Sequence, residues 1–192
     1  MANPDTPMGF VPVSSRNGSP YNGATRAYST ASGDATALLI GDPVKLAGTS
    51  QTINGVVYSD VTRAATGDVI VGVVGSCVAD TRDSTTYRAA STVRIINVID
   101  DPAVLFEIQE VSGGTALTAN DIGLNANFVV AAGSTATGLS GVELDNSTEA
   151  TTNTLDLQII GLSPRADNAV GEHAKWLVRL NRHQFSNQVA GV

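Results

Sequence analysis

Thr154-Leu155-Asp156-Leu157-Gln158-Ile159 decides how this chain folds. Leu155, Leu157 and Ile159 share one parity; Thr154, Asp156 and Gln158 take the other. A period of two marks a strand with one buried face. The pattern recurs on both sides. Ala174, Trp176, Val178 and Leu180 alternate with Lys175, Leu177 and Arg179, and Val104, Phe106 and Ile108 alternate with Leu105, Glu107 and Gln109. Leu38, Ile40, Val44 and Leu46 fall on one parity, with Gly41-Asp42-Pro43 as a bend or bulge. Residues 69–74 and 93–99 are apolar on both parities, which predicts central strands covered on both faces.

Turn chemistry separates these runs at Asn54-Gly55, Asp100-Asp101-Pro102, Gly113-Gly114 and Gly133-Ser134. Asp100-Asp101-Pro102 predicts a tight reversal. One helical turn is predicted at Thr118–Asp121, capped by Thr118. No long amphipathic helix and no sustained repeat is visible. The expected fold is mainly β: a single β-sandwich or barrel, jelly-roll-like, with little helix. Trp176 is expected to anchor the last strand in the core, and Cys77, in an apolar run, to behave as a small buried hydrophobe.

The first 35 residues differ. They hold four of the seven prolines, with Asn17-Gly18 and Asn22-Gly23. Proline fixes φ and removes a donor, so this segment cannot be a central strand over its length. It predicts an extended N-terminal arm over 1–35, a β-rich core over 36–184 and a short tail over 185–192. Aromatic and Arg side chains dominate interface energetics. Phe10, Arg16, Tyr21, Arg26 and Tyr28 are therefore expected to contact a partner or a neighbouring copy, and the core to fold without residues 1–28.

Composition excludes several function classes. Eleven scattered basic residues against 18 acidic ones give a net charge of −7. Nucleic-acid binding needs clustered cations, so it is not expected. Only 15% of residues are charged, which leaves a surface of small neutral polar side chains. Met1–Pro7 lacks the features of a signal peptide, and no apolar run reaches the roughly 18 residues of a membrane span, so synthesis in a cytoplasm is expected. One cysteine allows no intrachain disulfide.

No chemistry-bearing motif is complete. His173 and His183, ten apart with one cysteine elsewhere, give no zinc spacing, and both are expected as surface or capping residues. Gly138-Leu139-Ser140-Gly141 is one residue short of a nucleophile elbow. No phosphate-cradling or dinucleotide glycine loop occurs. Asp100-Asp101 reads as a turn before proline rather than a glycosidase pair. Asp145–Glu149 lacks the spacing and glycine of a calcium loop. Asn17-Gly18-Ser19 and Asn146-Ser147-Thr148 read as turns. The expectation is a non-enzyme with no catalytic residue, cofactor or metal.

A resemblance gives this description content. Asn3–Val13, Asn17–Ala24, Asp34–Val44, Tyr87–Ser91, Asp100–Pro102, Phe106–Gln109, Gly138–Leu144 and Ala174–His183 resemble stretches of small structural proteins that tailed phages encode beside the major capsid protein. The family resembles capsid decoration (cement) proteins. The resemblance implies a virion protein on the outer capsid surface, made in the bacterial host cytoplasm. Its partners would be the major capsid protein and further copies of itself, as a dimer or trimer. The rival is a receptor- or glycan-binding β domain of a head fibre or tail component, which needs exposed aromatics; Tyr58, Tyr87 and Phe185 are the spare ones. A hydrolase with a spatially assembled site around His173 and His183 is a third.

Overall fold

The computed structural model describes residues 3–192. Two layers of strands pack together in a sandwich-like arrangement. One layer is an antiparallel sheet in the order β1 (Val11–Ser15), β7 (Val104–Gln109), β12 (Lys175–Leu180), β11 (Leu157–Leu162), β8 (Asn125–Ala126). The other closes on itself as a barrel of β2 (Arg26–Thr30), β4 (Val56–Arg63), β3 (Pro43–Ile53), β5 (Gly72–Cys77) and β6 (Arg94–Ile99). A short pair, β9 (Phe128–Val129) and β10 (Glu143–Leu144), lies beside the sheet. The chain starts in the sheet, builds the whole barrel, and returns at β7 to pair with β1, Val11 opposite Glu107.

The alternating runs become strands for the reason the pattern gives. Phe106, Ile108, Leu157, Ile159, Trp176, Val178 and Leu180 turn one face of the sheet into the main core. Ile70, Val73 and Ile99 meet that face from the barrel side, while Val71, Val74, Ile96 and Val98 fill the barrel interior. Residues 70–74 are thus buried on both faces, whereas in 93–99 Val93 is exposed and Ile95 and Asn97 are half-buried, so that strand is fully covered on one face only. Trp176 is fully buried. The Asn54-Gly55 turn joins β3 to β4 with Ile53 opposite Val56 and φ of 52° and 81°, the two left-handed residues a tight hairpin requires. Thr118 caps a single 3-10 turn, Ala119–Asp121, through a capping box with Asp121. Asp100-Asp101-Pro102 reverses the chain between layers, with Asp101 Oδ1 accepting the Ala103 N–H at 2.8 Å.

Two further expectations are corrected. Of the expected arm over 1–35, residues 1–2 lie outside the described residues, and residues 3–35 are extended but are no free arm. They supply β1 to the sheet and β2 to the barrel, where Arg26–Thr30 pair with Val98–Arg94. Pro12 is tolerated because β1 is an edge strand, whose outer side needs no N–H. Removing residues 1–28 would strip both layers of a strand, so the remainder is not an independent core. Leu46, expected on a buried face with Leu38 and Val44, is 38% exposed. The β3–β4 register breaks between Leu46 and Ser50, where Gly48 takes φ of 78°. Beyond that break the hairpin pairs with no third strand, and Val56 and Val57 project at its tip.

Candidate interaction surface

The five residues expected to make contacts separate into two groups. Phe10 is a core residue, 1% exposed, its ring edge-on to Phe106 and Phe128 at 5.9 and 6.0 Å. Tyr28 lies inside the barrel, and its hydroxyl donates to Asp100 Oδ2 at 2.9 Å. Burial, aided by the Asp100 carboxylate, pushes the Tyr28 phenol up to about 12. Both aromatics bury themselves in their own chain and cannot dock on another. Arg16, Tyr21 and Arg26 remain at the surface. Arg16 follows β1, with its N–H on the Ala103 carbonyl. Arg26 pairs with Asp100 at 3.2 Å and stacks over the half-exposed Phe185 at 5.8 Å. Tyr21 packs its ring against the main core and donates its hydroxyl to the Ala24 carbonyl.

Tyr21 also forms part of an apolar cleft of about 410 Å³ between the N-terminal segment and the barrel. Met8, Val11, Pro12 and Tyr21 line one wall; Ile40, Val74, Ile99 and Leu139 line the other. A cleft of this size accepts a few side chains of a partner loop. The projecting Val56 and Val57 are further apolar surface left open. Of the spare aromatics, Tyr58 lies on β4, Tyr87 in the β5–β6 connection and Phe185 near the C-terminus.

The candidate reactive groups take structural parts. His183, expected as a surface or capping residue, is a buried cap: it is 3% exposed, its Nδ1 accepts the Phe185 N–H at 3.1 Å, and burial holds its pKa low. Cys77 is half-buried beside the barrel interior, and burial pushes its thiol up, the opposite of activation. Asp145 Oδ1 accepts the Ser147 N–H in a turn, and Asn146 is buried with its amide on the Val111 and Gly113 carbonyls.

The sheet's second face is polar yet covered. Glu107, Gln109, Lys175 and Arg179 are each less than 10% exposed. Residues 3–6 and the β11–β12 connection lie across them. Arg165 pairs with Glu107 at 3.0 Å, Ser163 donates to the same carboxylate, and Asn3 donates to the Ala169 and Glu172 carbonyls. Here Asp5, Glu143 and His173 meet around the Gln109 amide, with ligand-type atoms within 4.8 Å of one another. Sequence spacing could not find this group, because its members come from three distant segments. Comparison with protein-family models, curated proteins and solved structures yields no match for this chain.

Proposed function

We propose that this chain is a virion structural protein that binds the outer surface of an icosahedral phage capsid and stabilises it. The observation that carries the reading is the cleft of about 410 Å³ walled by Met8, Val11, Pro12 and Tyr21. It is an open apolar recess with one wall built by the N-terminal segment, which carries part of the resemblance to decoration proteins. Arg16 and Arg26, exposed on that segment, are cations on a chain of net charge −7. An apolar recess beside exposed arginines suits a capsid-protein loop carrying an apolar anchor and a carboxylate. The acidic remainder favours the outside of a DNA-filled shell over its inside. Several modest contacts per subunit suffice when they act together, since later ones are effectively intramolecular. Binding as a dimer or trimer would multiply them further.

The test is to mix purified protein with undecorated capsids and follow co-sedimentation and the temperature of capsid disruption. Saturable binding and a higher disruption temperature are expected. A Tyr21→Ala, Arg26→Ala double variant should bind at least tenfold more weakly while keeping its own unfolding midpoint within a few degrees. No binding, together with absence of the protein from purified virions, would sink the reading.

A further inference from the structure

Asp5, Glu143 and His173 converge on one point from three parts of the chain. Asp5 lies in the segment before β1, Glu143 on β10, and His173 just before β12. The point is filled by the Gln109 side-chain amide nitrogen. It donates to Asp5 Oδ1 at 2.8 Å and to Glu143 Oε1 at 3.0 Å, with His173 Nδ1 at 3.5 Å. An amide NH2 carries two protons, and here three acceptors face it. The amide cannot turn to offer its oxygen cheaply, because Gln109 Oε1 accepts the Thr6 N–H at 2.9 Å. Gln109 is 3% exposed, but the Asp5 side chain beside it is 61% exposed, so the acceptor left without a proton faces a place that ions in solvent can reach.

We propose that Asp5, Glu143 and His173 form a divalent-cation site of the Zn2+ type that clips the N-terminal segment onto the sheet. Two carboxylates and an imidazole are a borderline oxygen and nitrogen donor set, which suits zinc; calcium wants six or more oxygens. His173 Nδ1 and Asp5 Oδ1 lie 3.6 Å apart, near the roughly 3.3 Å edge of a tetrahedron with bonds of about 2 Å. Glu172 Oε1 lies 4.0 Å from His173 Nε2, on the side where an Nε2–H favours a free Nδ1 lone pair. The ion would take the place of the Gln109 NH2, and the Gln109 amide would swing aside at the cost of its Thr6 contact. A fourth position remains for water. Because the three ligands meet only in the folded chain, a free-ion concentration 100 times Kd raises the folded-to-unfolded ratio about a hundredfold.

The full chain, stripped with a chelator, is titrated with ZnCl2 by calorimetry and followed by thermal unfolding. Co2+ absorption serves as a second readout of the coordination geometry. One equivalent of saturable binding, a raised unfolding midpoint and the intense visible bands of four-coordinate Co2+ are expected. His173→Asn should abolish all three. Asn tolerates the left-handed backbone that His173 adopts at φ of 59°, so the metal-free unfolding midpoint should stay close to wild type. Asp5→Asn should weaken binding at least tenfold. Absence of saturable binding to the wild-type chain overturns the proposal. So does binding that survives in His173→Asn, which would place the ion elsewhere.

Discussion

Inside the barrel, Tyr28 and the branched side chains of Leu38, Val44, Val61, Val71, Val74, Ile96 and Val98 form the apolar filling. Between barrel and sheet, Phe10, Phe106, Phe128 and Trp176 join aliphatics from both layers. A barrel of few strands is narrow, so its filling is mostly branched aliphatic, with Tyr28 as the one ring in this cluster. Buried polar side chains of this half of the molecule find partners of their own. Arg88 is fully buried and donates to the carbonyls of Ala31, Thr36 and Thr92. Arg94 donates to the carbonyls of Val78, Thr85 and Tyr87. At another point of the barrel wall, the buried Asp60 accepts from Ser29, Thr49 and Gln51. The interlayer is held by ring packing, and the barrel by a modest apolar filling plus satisfied polar side chains.

The sharpest way to break this contrast is Trp176→Ala. It removes a fully buried indole from the interlayer and leaves Glu110 Oε2 without the Nε1–H that donates to it at 2.8 Å. A loss of about 4 kcal/mol is expected, read from urea unfolding monitored by far-ultraviolet circular dichroism. A loss below about 1 kcal/mol would mean that ring packing does not hold the layers.

The barrel's counterpart is Arg88→Ala, expected to cost about 3 kcal/mol because a fully buried side chain is removed and three backbone carbonyls lose their donor. Arg88→Lys should recover little, since an ammonium on a flexible stem cannot serve carbonyls spread around a planar fork. Full rescue by Lys would show that charge near Asp34, 3.6 Å away, matters rather than the fork.

These two variants also mark what a sequence reader could and could not see. Trp176 was legible because a strand's alternation is local, and the ring falls on the apolar parity. The Asn54-Gly55 hairpin and the Thr118 cap were legible for the same reason: two or four residues contain the whole argument. Arg88 and Arg94 were not, because an arginine looks the same in sequence whether water or backbone carbonyls receive its protons. The N-terminal segment misled through its prolines. Pro12 is accepted on the edge strand β1, while the proline-free β2 enters the closed barrel between β4 and β6, and Phe10 and Tyr28 then bury themselves at home. Of the expected contact residues, Arg16, Tyr21 and Arg26 kept a surface position. The Asp5, Glu143 and His173 group was invisible because only the return of β7 and β12 beside the N-terminal segment brings it together.

The smallest effect sharpens the contrast by asking whether the interlayer tolerates charge as the barrel does. Glu110 is fully buried, with one carboxylate oxygen on Trp176 and the other, Oε1, without a partner among the described residues. Burial pushes its pKa from 4.5 up to about 6, against the lowering pull of the Trp176 hydrogen bond. The folded chain therefore holds this proton more tightly than the unfolded one, so stability falls as pH rises from about 4.5 through 6. Glu110→Gln keeps an acceptor for Trp176 and never ionises. Relative to wild type, its unfolding free energy should climb by about 2 kcal/mol between pH 4.5 and pH 7. Asp156, also pushed up to about 6, mainly by burial, titrates in both proteins and cancels from that difference. A difference that stays flat across the window would mean that Glu110 ionises without penalty, and that the interlayer solvates a carboxylate as well as the barrel wall solvates Asp60.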